Sequence, residues 1–134
     1  RLISDDEQVR LAAAQTWSVW EGATSTLVPE PASIDTFEDP HFALSFARIE
    51  NHYFVNKGFF EVDDQLLRDA HRIRHIPGVI VHGRYVVVCP VQNAWDLHQV
   101  WPEARLVITP QSGHSAFEAE NAAALVAATD AFRG

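Results

Sequence analysis

The chain has 134 residues, 47% of them hydrophobic, a size and composition that fit one globular domain. A formal net charge of −8 argues against nucleic acid or an anionic membrane surface as a partner; it suits a cationic substrate or plain solubility. No apolar run nears the roughly 20 residues that span a bilayer, no signal peptide is evident, and one cysteine leaves no internal disulfide, which points to a reducing, cytoplasmic setting.

Ser4 followed by Asp5, Asp6 and Glu7 reads as a helix start with capping-box spacing, and the helix is expected to run to about Glu21 with Ala14, Trp17 and Glu21 on one row. Residues 22–39, rich in Pro, Ser and Thr, read as a long connection. Asp39-Pro40 opens the next helix as N-cap and first helical residue, and Asn56-Lys57-Gly58 ends it. One row of this helix is Phe42, Phe46, Ile49 and Tyr53; its neighbour is Ala43, Ala47, Glu50 and Phe54. Asp63 or Asp64 opens a short helix through Ala70. From Gly78 the unbroken run Val79-Ile80-Val81 fits a buried parallel strand that ends at His82-Gly83, with a loop after it and a helix whose first residue is Pro90. Arg105 to Thr109 is a second strand, followed by the Gly113-His114-Ser115 loop and a last helix from about Ala119 to Phe132 that turns Ala122, Leu125, Val126 and Phe132 inward.

The order divides the chain into residues 1–74, all helix and connection, and residues 75–134, strand-helix-strand-helix. Two strands alone leave edges and an apolar face open, so the chain is expected to need further strands, from a missing segment or by self-association. Loops at the carboxyl ends of parallel strands are where such sheets place their chemistry, which makes His114 the leading candidate for a general base.

His82-Gly83-Arg84-Tyr85, Cys89-Pro90, Ala94-Trp95-Asp96-Leu97, Trp101-Pro102 and Gly113-His114-Ser115-Ala116-Phe117-Glu118 resemble the carboxyl-terminal part of a proline iminopeptidase (prolyl aminopeptidase). The resemblance takes in Trp17 to Glu21 and Ala47 to Phe60 and so nearly the whole chain. It implies an α/β fold: the carboxyl-terminal part of an α/β hydrolase, a parallel sheet flanked by helices, with a helical cap segment. Residues 1–74 would then be part of the cap and 75–134 part of the hydrolase domain. A chain that starts Arg1-Leu2 and contains no Met is read as cleaved, truncated or excerpted.

The family removes an N-terminal proline from peptides with a Ser-His-Asp triad and no cofactor. His114 matches the triad His. The family's Ser lies upstream of every matching motif, and Val86 stands at the triad Asp position. No Asp or Glu lies between Asp69 and Asp96, and neither Asp96 nor Glu118 matches a triad position. An engineered substitution, a natural inactive homologue and a sequence error each account for Val86. The chain alone is therefore expected to be inactive.

Glu21 and Glu50 share helical rows with apolar residues, where an unpartnered carboxylate is costly. The resemblance implies that they hold the substrate's free amino group, with Phe54 and Cys89 as the wall of the proline pocket or as plain core. Metal binding finds little support: His71 and His75 are four apart, with no third ligand in view. Trp17, Trp20, Trp95 and Trp101 read as packing residues. Two rival readings remain: a non-catalytic relic that binds prolyl peptides, and a hydrolase for another ester or amide.

Overall fold

The computed structural model describes residues 1–29 and 31–133 and resolves into two compact units: Arg1–Thr24 with Val28–Asp63, and Ser25–Leu27 with Asp64 onward. Glu30, part of the connection read from sequence, lies outside the described residues.

The first unit is helical: α1 (Glu7–Thr24), α2 (Pro31–Glu38) and α3 (Pro40–Val55), closed by a 3-10 turn at Lys57–Phe59. The cap of α1 is Asp6 rather than Ser4, because the Asp6 Oδ1 accepts from the amides of Gln8 at 2.9 Å and Val9 at 3.3 Å, while Ser4 closes a turn back to Arg1. The helix continues past Glu21 to Thr24, whose hydroxyl donates to the Trp20 carbonyl at 2.9 Å. Asp39 caps α3 as expected, accepting from the Phe42 amide at 2.8 Å, with Pro40 at the first position.

Ala14 from α1 and Ala43 and Ala47 from α3 are fully buried, and Leu2, Trp17 and Leu44 pack around them. Small side chains let the two helix backbones approach closely. The row facing α1 is thus the alanine row, and Ile49 and Tyr53 stay exposed. Phe42 and Phe46 are met by Phe37 of α2, with ring centroids 5.3 and 5.7 Å away in edge-on contact. Gly22 leaves room for this: a Cβ there would sit 2.6 Å from the Phe37 ring. The stretch read as a connection therefore contains a helix, α2, opened by Pro31.

In the second unit α4 (Gln65–Asp69) follows Asp64 and runs into a 3-10 turn at Ala70–Arg72. Strands β1 (Val79–Gly83) and β2 (Arg105–Thr109) then pair in parallel, Val79 opposite Arg105 and Gly83 opposite Thr109. Helix α5 (Val91–Val100) lies between them in sequence and α6 (Ala119–Ala131) follows. Both strands appear as expected, but β1 is only half-buried along Val79–His82, because a single partner strand leaves one edge open. Pro90 is the N-cap of α5, not its first residue. The inward face of α6 also differs. Asn121 and Ala128 are buried, whereas Leu125, Val126 and Phe132 are exposed, since a two-stranded sheet covers only a narrow stripe of the helix. Arg74 and Glu103 form a bidentate ion pair at the surface, with Arg74 Nε 2.9 Å from the Glu103 Oε2.

Candidate functional site

The carboxyl ends of β1 and β2 bring two loops together. Gly83 is buried against the second loop, and a Cβ there would lie 2.0 Å from the Gly113 carbonyl oxygen and 2.6 Å from that of Ser112. Backbone bonds close the junction: the Arg84 amide donates to Thr109 at 2.9 Å and the Tyr85 amide to Ser112 at 3.0 Å. The first loop is spanned by the His82 ring, whose Nδ1 lies 2.8 Å from the Gly83 carbonyl and whose Nε2 lies 3.1 Å from that of Cys89. A neutral imidazole donates only one of these bonds; the imidazolium donates both.

The His114 loop is held from three sides. The amides of His114 and Ser115 both donate to the Ser25 carbonyl, at 2.9 and 2.7 Å. Glu118 accepts from the Gly113 amide at 2.8 Å through Oε1 and from the Leu27 amide at 3.0 Å through Oε2. Asn121, buried on α6, donates to the carbonyls of Gly113 at 3.1 Å and Ser115 at 2.9 Å, and its oxygen accepts from the Thr109 hydroxyl at 2.6 Å. Thr109 ends β2, so Asn121 links the strand end to the carbonyls on both sides of His114.

His114, Val86 and Cys89 line one hollow of about 180 Å³, together with His82, Asn121 and Leu125. The imidazole of His114 is exposed, and among the described residues no side chain hydrogen-bonds to it. The two carboxylates weighed as substitutes for an acid at position 86 are engaged elsewhere: Glu118 with backbone amides, and Asp96 with the Gln92 amide nitrogen at 2.6 Å. Val86 adds an apolar side chain to the wall of that hollow. Cys89 is exposed and free rather than part of a core.

In the helical unit, Trp17, Trp20, Glu21 and Phe54 line a separate hollow of about 930 Å³. The Trp17 indole Nε1 donates to Glu50 Oε2 at 2.6 Å, which gives the half-buried Glu50 a polar partner. The Trp17 and Phe54 rings lie 6.1 Å apart, and Phe54 is 60% exposed, so it is a wall residue and not core. Burial first, and then the nearby charge of Glu50, hold the Glu21 carboxyl above the ordinary Glu range. Glu21, which lines the aromatic hollow, is thus within reach of the charge of Glu50, a setting suited to a cation.

Sequence reasoning missed Trp17 as a partner of Glu50, and missed Asn121 and Glu118 as supports of the His114 loop. The spacing of Trp17, four residues before Glu21 on the same row, was the available signal. Among the described residues no three His, Cys, Asp or Glu side chains gather as a metal site, and no helix is long and apolar enough to cross a membrane.

Comparison with known proteins decides the family likeness. The chain is 72% identical over 132 residues to the proline iminopeptidase of Xylella fastidiosa (strain Temecula1), covering 98% of this chain and 42% of that protein. The resemblance to proline iminopeptidases is borne out. Over 130 residues the chain is 52% identical to the proline iminopeptidase of Arabidopsis thaliana, covering 97% of this chain and 34% of that protein. Against the Neisseria gonorrhoeae proline iminopeptidase it is 45% identical over 129 residues, 96% of this chain and 40% of that protein. The chain therefore spans well under half the length of the curated relatives it matches. No family model matches it.

Proposed function

We propose that the chain is the carboxyl-terminal part of a proline iminopeptidase-like α/β hydrolase, with residues 1–74 from its helical cap and 75–134 from its hydrolase domain. The observation that carries this reading is 72% identity over 98% of the chain to a protein named proline iminopeptidase. The parallel strand pair, with His114 and Val86 lining one hollow at its carboxyl end, supports it.

In the complete enzyme a Ser from the rest of the protein attacks the carbonyl of an N-terminal proline, the amine of the next residue leaves, and water then hydrolyses the prolyl ester to free proline and Ser. His114 takes the Ser proton and passes it to the leaving amine. An Asp at position 86 would accept from the imidazole and fix its tautomer. Glu21 and Glu50 hold the proline nitrogen, and Phe54 and Cys89 flank the ring. The reaction uses no cofactor, and the setting is cytoplasmic. The partners are peptides with an N-terminal proline and the remaining part of the hydrolase, or a second copy that covers the open sheet.

The chain by itself releases no proline from a chromogenic prolyl amide. Supplied with the remaining part of the Xylella relative, it gains activity on Val86→Asp, by up to ~10⁴-fold if the orienting acid is all that is missing. His114→Ala abolishes that gain. Proline release by the unaltered chain alone would refute the reading.

Val86 beside His114 favours a second reading, a binding protein for prolyl peptides that has lost catalysis. There the assembled Val86→Asp variant stays inactive while prolinamide still binds.

A further inference from the structure

Resting on the reading that Glu21 and Glu50 hold a prolyl nitrogen, we infer that Trp17 is a positioning residue that fixes Glu50 as the anionic arm of that site. The indole N–H is a donor and never an acceptor, so it takes up one oxygen of Glu50 as its acceptor and leaves the other. At 2.6 Å from Glu50 Oε2 the bond is short, as charge-assisted bonds are. It assigns the two oxygens of Glu50 different tasks. Oε2 is tethered across the α1–α3 packing, and Oε1 is left to meet a substrate N–H.

The bond holds one carboxyl oxygen of Glu50 in place, and the neighbouring Glu21, raised by burial first and then by the charge of Glu50, is the second acid of the pair. A prolyl secondary ammonium has two N–H groups, one for each acid. Trp17 belongs to the hollow as well, beside Glu21 and Phe54. One side chain thus sets the distance between the apolar wall and the anionic anchor. Arg1 also lines the hollow.

The experiment uses the full chain and L-prolinamide. Trp17→Phe keeps an aromatic wall but removes the N–H, and it is expected to weaken prolinamide binding about tenfold. Glu50→Gln weakens it more, and Trp17→Phe adds nothing further in the Glu50→Gln background. Additive losses would make Trp17 a wall residue only and overturn the inference. A second readout does not depend on ligand: the indole N–H resonance of Trp17, found by its loss in Trp17→Phe, shifts on Glu50→Gln. A resonance that stays in place overturns the inference. Failure of the unaltered chain to bind prolinamide would instead defeat the reading of the site, leaving the tether itself to be decided by the resonance.

Discussion

Substituting Gly83 by alanine tests the junction that brings the two strand-end loops together. The added methyl carbon would lie 2.0 Å from the Gly113 oxygen and 2.6 Å from the Ser112 oxygen, and contacts under 3.0 Å are essentially never made by real Cβ atoms. Both neighbours are backbone, so no side chain can swing aside, and the loop must retreat by about 1 Å. That movement pulls Ser112 from the Tyr85 amide, now bonded at 3.0 Å, and strains the Arg84 bond to Thr109 at 2.9 Å. Two weakened backbone bonds at about 1 kcal/mol each, with ~1–3 kcal/mol of overpacking, give a loss of about 3–5 kcal/mol. Urea unfolding followed by circular dichroism measures it, and hydrogen exchange at the Arg84 and Tyr85 amides locates it. Gly78→Ala is the control: its methyl would meet the Trp101 ring at 2.4 Å, and a ring can rotate away, so the loss should be smaller. A Gly83→Ala chain within about 1 kcal/mol of the parent, with both amides still protected, would refute the reasoning.

Three further outcomes are expected. Glu21 is held above the ordinary Glu range, so its charged form destabilises the helical unit at neutral pH; that penalty lifts as pH falls through the raised value and is gone below the unfolded one. Glu21→Gln should therefore stabilise at pH 7 by only ~0.5 kcal/mol, given solvent screening, and should flatten the dependence of the melting temperature between pH 7 and pH 4. Glu103 is lowered by its bond to Arg74, a contribution present above the unfolded value and lost as pH falls through the lowered one, so a carboxyl NMR titration of Arg74→Gln should return Glu103 upward. Asp39→Ala should destabilise the helical unit by about 1 kcal/mol in a thermal melt, because it leaves the Phe42 amide without its cap.

What the sequence disclosed follows from the range of the forces involved. The strands were legible because Val79-Ile80-Val81 and Leu106-Val107-Ile108 are β-branched or aliphatic runs bounded by Gly, Pro and Thr. The start of α3 was legible because Asp39-Pro40 is a local signal, made within four residues. The helix α2 was hidden because it is short and its packing is tertiary: Phe37 meets Phe42 and Phe46 of the next helix and enters the space left by Gly22 of the preceding one. For the candidate site, the pairing of His114 and Val86 at one hollow came through the resemblance. Their supports did not: Asn121 acts on residues up to 12 positions away and Glu118 on Leu27, 91 positions away.

The burial pattern bears on why this chain is expected to need covering. The buried hydrophobic residues among those described are all alanines, and the largest fully buried side chains are Ser18 and Ser112. Alanine buries little apolar area, so at roughly 25 cal/mol per Å² such a core offsets little chain entropy. Large side chains of the sheet unit meanwhile stay open, with Val87 at 77% and Val126 at 58% exposure. Val87 lies in the Val86 loop and Val126 on α6, the helix that holds the His114 loop. A surface that covered them would therefore both supply the missing hydrophobic stabilisation and order the loops proposed to carry catalysis. On the proposed reading, stability and activity should then arrive together on assembly with the remaining part of the protein, because the same apolar contacts would serve both.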